Sequence, residues 1–90
     1  MRVPPSPRVE WRRLRCVVRV TSSDPSLRVD IRKNWKQSET RLVATPKPIG
    51  PTGEVSFAVS DEYEGQGAMI VVLDSADNVL DKASTTVGGD

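Results

Sequence analysis

Nine arginines and four lysines dominate the reactive side chains of this 90-residue sequence, and no histidine accompanies them. Without an imidazole, acid–base schemes that rely on His and zinc sites with a His ligand are excluded. Cys16 is the single cysteine, so neither a Cys–His dyad nor an internal disulfide can be built. It sits on the apolar side of an alternating segment and reads as a small core hydrophobe. Serines and threonines are plentiful, but a nucleophile needs an adjacent base and no spacing supplies one. Asp61, Glu62 and Glu64 form one acidic group, and Asp74 with Asp77 forms another. Paired carboxylates suit glycoside chemistry or Ca²⁺. A chain of this length leaves little room for a cleft, and Asp74-Ser-Ala-Asp-Asn78 lacks the spacing of an EF-hand loop. These acids read as solvated turn residues, and the expectation is a protein with no catalytic centre, metal or cofactor.

The arginines point to binding. The formal net charge is only +1, yet it hides a segregation. Residues 1–36 carry ten basic side chains against three acids, a balance of +7, and residues 37–90 carry three against nine, a balance of −6. Arginine's planar fork suits bidentate contact with carboxylate or phosphate. Nucleic acid is one reading, with Trp11 as a base-stacking group. Against it stands a near-neutral pI of about 7.9, where a nucleic-acid domain is expected above about 9. A protein partner, or copies of the chain itself, uses both signs of charge and is the leading expectation.

The elements that must carry these residues are read from periodicity. Residues 1–8 hold Pro4, Pro5 and Pro7 and read as an extended arm reaching roughly 25 Å. Leu14, Cys16, Val18 and Val20 alternate with Arg13, Arg15, Val17 and Arg19, the period of a half-buried strand over 12–20. Leu27, Val29 and Ile31 alternate with Arg28, Asp30 and Arg32 in a second. Further strands are expected at Thr40–Thr45, Glu54–Ser60, Ala68–Leu73 and Val79–Val87, with a Pro- and Gly-rich loop over 46–53 and a hairpin turn at Asp74–Asn78. The continuous apolar run Ala68–Leu73 reads as a strand covered on both faces or lying centrally in its sheet. Gly88-Gly89-Asp90 reads as a frayed end. No secretory signal and no run of 18 apolar residues is present, so no membrane span is expected, and an intracellular or virion-associated setting is favoured.

Six or seven short strands with turns about every ten residues indicate an all-β fold, a sandwich or a small barrel, read here as a small antiparallel sandwich over residues 9–87. Their order and spacing resemble immunoglobulin-like and fibronectin-type-III-like sandwiches. The immunoglobulin Cys…Trp…Cys pattern is missing, and Tyr63 is followed by Glu64-Gly-Gln-Gly67 before the next strand begins. If the two Arg-bearing strands pair as a hairpin, Arg19 lies beside Arg28 and Arg15 beside Arg32. If they fall in opposite sheets, the arginines form two stripes. Counting back from Arg13 and Arg15 puts Trp11 outward and available as an apolar anchor, whereas Trp35 shares the inward phase. The functional expectation is a non-enzymatic accessory subunit of a larger assembly, such as a virion or secretion particle. It would dock through Trp11, Arg13, Arg15, Arg19, Arg28 and Arg32 on an acidic surface, for example Asp61, Glu62 and Glu64 of a neighbour. A nucleic-acid or anionic-ligand module using the same arginines is the alternative.

Overall fold

Cys16, Val18 and Val20 all turn inward from one six-residue strand, and the rest of the architecture follows from where that strand begins. The structure is a computed structural model that describes residues 6–22, 24–33 and 46–89. Its strands are β1 (Pro7–Arg12), β2 (Arg15–Val20), β3 (Arg28–Lys33), β4 (Lys47–Pro48), β5 (Glu54–Ala58), β6 (Gly67–Leu73) and β7 (Val79–Thr86), with one 3-10 turn at Asp61–Tyr63. Residues 1–5, Trp35 and the strand expected at 40–45 lie outside the described residues.

The chain is all-β, with two antiparallel sheets ordered β1-β2-β5 and β4-β3-β6-β7. Among the described residues no strand pairs with both sheets. The sheets share one core. Cys16, Val18, Val20, Val55 and Phe57 from the first meet Val29, Ile31, Ala68, Ile70 and Val72 from the second. At one edge Trp11 on β1 donates from Nε1 to Thr85 Oγ1 on β7 at 2.7 Å. At the other, Lys47 on β4 reaches the Ser56 carbonyl on β5 at 2.9 Å and lies 5.3 Å from the Phe57 ring centre.

The strand expected over 12–20 is in fact the end of one strand, a turn and a second strand. Arg12 pairs with Arg15, leaving Arg13 and Leu14 as a two-residue hairpin loop. Arg13 has φ of 56°, and positive φ at the first loop residue alone is the sign pattern of a type II′ turn. Leu14 sits in that turn, packed partly against the core. Pro7 and Arg8, within the span read as an arm, belong to β1. The loop expected over 46–53 contains the short strand β4.

Strand β6 lies between β3 and β7, as its unbroken apolar run implies. Ala68, Ile70 and Val72 face the shared core, whereas Val71 and Leu73 are buried on the opposite face. Asp30 lies opposite Val71 on that outer face. The alternation of β3 leads one to expect Asp30 in solvent, but it is fully buried. Its carboxylate accepts a bond from Arg32 Nε at 3.0 Å. Among the described residues no helix is long and apolar enough to cross a membrane.

Candidate docking face

Strand alternation and the pairing register of the ladders build a three-by-three grid on the outer face of the three-stranded sheet. Arg8, Arg19 and Glu54 stand side by side across β1, β2 and β5. Glu10, Val17 and Ser56 form the middle row, and Arg12, Arg15 and Ala58 the third. The four arginines are exposed, and Val17 is largely covered between them. A half-open pocket lies over Val17 at the Arg8–Arg19 end, lined also by Val9 and Glu10.

Two pairs of arginines therefore face one another directly across the β1–β2 ladder. Like charges in that position destabilise a sheet by a few tenths to about 1 kcal/mol per pair. Compensation within the face is partial. Arg19 Nε reaches Glu54 Oε2 at 2.9 Å, and Arg12 Nε stands 3.8 Å from Glu10 Oε1. Among the described residues Arg8, Arg13 and Arg15 have no carboxylate within ion-pair distance.

The residues expected to form the site are distributed differently. Arg15 and Arg19 lie on this face, and Arg13 sits at the hairpin tip beside it. Arg28 and Arg32 lie on the other sheet, so the two-stripe arrangement is the one adopted. Both are engaged within the fold. Arg28 donates to the Asp74 carbonyl at 2.7 Å and pairs with the Asp77 carboxylate, and Arg32 holds the buried Asp30. Arg8 and Arg12, which the sequence pattern does not single out, complete the face opposite Arg19 and Arg15. The alternation of Arg8, Glu10 and Arg12 with Val9 and Trp11 carries the signal, but it becomes readable only once the turn at Arg13–Leu14 is placed.

That turn also corrects Trp11. It pairs with Cys16 and therefore shares the inward phase, packing against the core instead of standing among the arginines. Gly89 backs it, since a Cβ there would come within 3.3 Å of Trp11 Cβ. The remaining aromatic residues among those described are also off the basic face: Phe57 is buried, and Tyr63 packs against the core.

Asp61, Glu62 and Glu64 are all exposed. They lie near the hairpin tip and not at an opposite pole. Val59 donates to the Leu14 carbonyl at 2.9 Å, and a Cβ at Gly88 would lie 3.5 Å from Glu64 Cγ and 3.8 Å from the Arg13 carbonyl. The Glu62 carboxylate pushes the Tyr63 phenol above its ordinary value, and Lys33 Nζ lies 5.6 Å from the centre of that ring. Burial pushes the Cys16 thiol up to about 12, which removes its nucleophilic form at neutral pH. Asp74 is held below the usual carboxylate range by its hydrogen bonds from the Asn78 side chain and backbone, with Ala76 N–H and Arg28 adding to them. Among the described residues no three acidic or thiol side chains converge closely enough to hold a metal ion.

No protein-family model matches the chain, and neither a curated protein nor a solved structure shows significant similarity to it.

Proposed function

We propose that this chain is a non-enzymatic docking module, an accessory subunit of a larger assembly, that binds an acidic protein surface through Arg8, Arg12, Arg15 and Arg19. Arg13 extends the basic surface at the hairpin tip. One observation carries the reading: two directly opposed arginine pairs on a single exposed sheet face, with three of the five arginines lacking a carboxylate among the described residues. A partner that supplies carboxylates relieves that repulsion, so binding and fold stability favour the same contact. The non-enzymatic part of the proposal is supported by the absence of His from the sequence and by the burial of Cys16.

The fold we assign is an immunoglobulin- or fibronectin-type-III-like sandwich. Its support is the order of strands: first, second and fifth in one sheet, third, sixth and seventh in the other. In the constant-type immunoglobulin pattern the fourth strand joins the sheet of the first, second and fifth. Here β4 pairs with β3 instead. Tyr63 falls between β5 and β6, the corner at which such folds place a tyrosine.

A nucleic-acid partner would use the same arginines. The inward turn of Trp11 weighs against it, because no described aromatic residue remains on the face to stack on a base. Binding to poly-L-glutamate and to a mixed-sequence oligonucleotide, compared at matched ionic strength, tests the assignment. The expected result is binding to polyglutamate that falls at least tenfold in Arg8→Glu/Arg15→Glu, with the circular dichroism spectrum unchanged. Equal binding by the variant overturns the docking face. Tighter binding to the oligonucleotide, with a steep loss on added salt, replaces protein by nucleic acid as the partner.

A further inference from the structure

The grid on the outer sheet face has a repeat that a partner can read. Arg8 and Arg12 are four residues apart on β1, as are Arg19 and Arg15 on β2. At 3.4 Å per residue, the two arginine rows stand roughly 14 Å apart along the strands. Between them the surface changes character. The middle row offers Val17 as an apolar floor, with Glu10 on one side and Ser56 on the other.

Resting on the docking face proposed above, we infer that its partner is an extended protein segment with the pattern acid-x-apolar-x-acid. In an extended segment, residues i, i+2 and i+4 share one face and span the same 14 Å or so. Acids at i and i+4 then meet the two arginine rows, and the apolar residue at i+2 covers Val17. An acid at i+2 would instead stand over Glu10, which repels it. The rows are not equal. Arg19 is held by Glu54 at 2.9 Å, whereas Arg12 meets Glu10 only at 3.8 Å and Arg15 adjoins Ala58 on β5. Asp61, Glu62 and Glu64 lie near the hairpin tip, but none is within ion-pair distance of Arg12 or Arg15, so this row keeps the less neutralised charge. A face built this way discriminates by spacing, which a uniformly basic surface does not.

Two immobilised peptides of identical composition test the inference. One is acetyl-Gly-Asp-Thr-Val-Thr-Asp-Gly-amide, with acids four apart. The other is acetyl-Gly-Thr-Asp-Val-Asp-Thr-Gly-amide, with acids two apart. High surface density compensates for weak individual contacts. The expected result is that the full-length chain is retained at least fivefold more by the first peptide. Arg12→Glu/Arg15→Glu should remove more of that retention than Arg8→Glu/Arg19→Glu. Equal retention by both peptides, still lost in the variants, overturns the spacing rule and leaves the docking face standing. Retention by neither peptide, together with failure to bind polyglutamate, overturns both. Val17→Glu, which places a second acid on the floor, is expected to lower retention on the first peptide, and unchanged retention would remove the apolar contact from the proposal.

Discussion

Arg13 holds a backbone conformation that its side chain disfavours. Its φ of 56° lies in the left-handed region, where a residue with a Cβ is penalised by roughly 1–2 kcal/mol. Glycine has no such penalty, and nothing in the described structure holds the Arg13 guanidinium in an ion pair. Arg13→Gly is therefore expected to stabilise the fold by about 1 kcal/mol, a rise in Tm of about 4–8 °C for a domain of this size. The same substitution takes one cation from the basic surface and should weaken binding to polyglutamate. A variant more stable and less adhesive than the parent would identify Arg13 as a residue whose conformational cost is tolerated for binding. A Tm that falls would show that the turn depends on the arginine. Cys16 has no such tension: buried, with its thiol pushed to about 12, it is a packing residue.

At the scale of elements, the two sheets are tied at their edges, and a side-chain hydrogen bond joins β1 to β7. Trp11 Nε1 donates to Thr85 Oγ1 at 2.7 Å in a partly buried setting. Thr85→Val keeps the shape and removes the acceptor, leaving the indole N–H without this partner. The expected cost is about 1–2 kcal/mol, measured as a lower urea midpoint with an unchanged slope. An unchanged midpoint would mean that water replaces the threonine and that the tie does not hold the edge. This contact also marks the limit of what periodicity reveals. Cys16, Val18 and Val20, and likewise Leu27, Val29 and Ile31, declare their inward face because side chains alternate with period two. The run Ala68–Leu73 declares its central place by the opposite sign, an apolar stretch with no alternation. The turn at Arg13–Leu14 declares nothing. Neither residue is Gly, Asn, Asp or Pro, so no local turn chemistry interrupts the apparent strand. Missing those two loop residues shifts the phase assigned to everything before them. Trp11 is thereby placed outside, and the alternation of Arg8 and Arg12 with Val9 and Trp11 goes unread. Half of the basic face was legible, because Arg15 and Arg19 belong to the strand that alternation identifies. The other half depended on a backbone conformation, not on a residue type.

Across the whole molecule, the charge segregation of the sequence is partly spent inside the fold. The basic front of the chain meets its acidic rear at Arg19–Glu54 and at Arg28 with Asp74 and Asp77. Among the described residues, the arginines without an ion-pair partner, Arg8, Arg13 and Arg15, lie on or beside one sheet face, which the balance of +7 and −6 does not by itself indicate. The Asp74 cluster makes the internal part of this arrangement measurable. Its carboxylate accepts bonds from Ala76 N and Asn78 N at 2.9 Å each and from Asn78 Nδ2 at 3.0 Å. These bonds favour the ionised form, so its folded-state pKa lies below its unfolded value. A group shifted in that direction contributes stability that is present above the unfolded pKa and is lost as pH falls through the folded one. Asp24 is shifted the same way by its bonds from Ser26. Stability is therefore expected to hold through neutral pH and to decline as pH drops below about 4, the ordinary Asp range. Asp74→Asn isolates the contribution of one carboxylate, because the amide keeps the shape and does not ionise. The Tm of this variant should lie below that of the parent at pH 7, and the gap should close as pH falls through the range in which Asp74 protonates. Two curves that stay parallel down to pH 2.5 would show that the charge on Asp74 does not stabilise the β6–β7 turn through its bonds from Ala76 and Asn78.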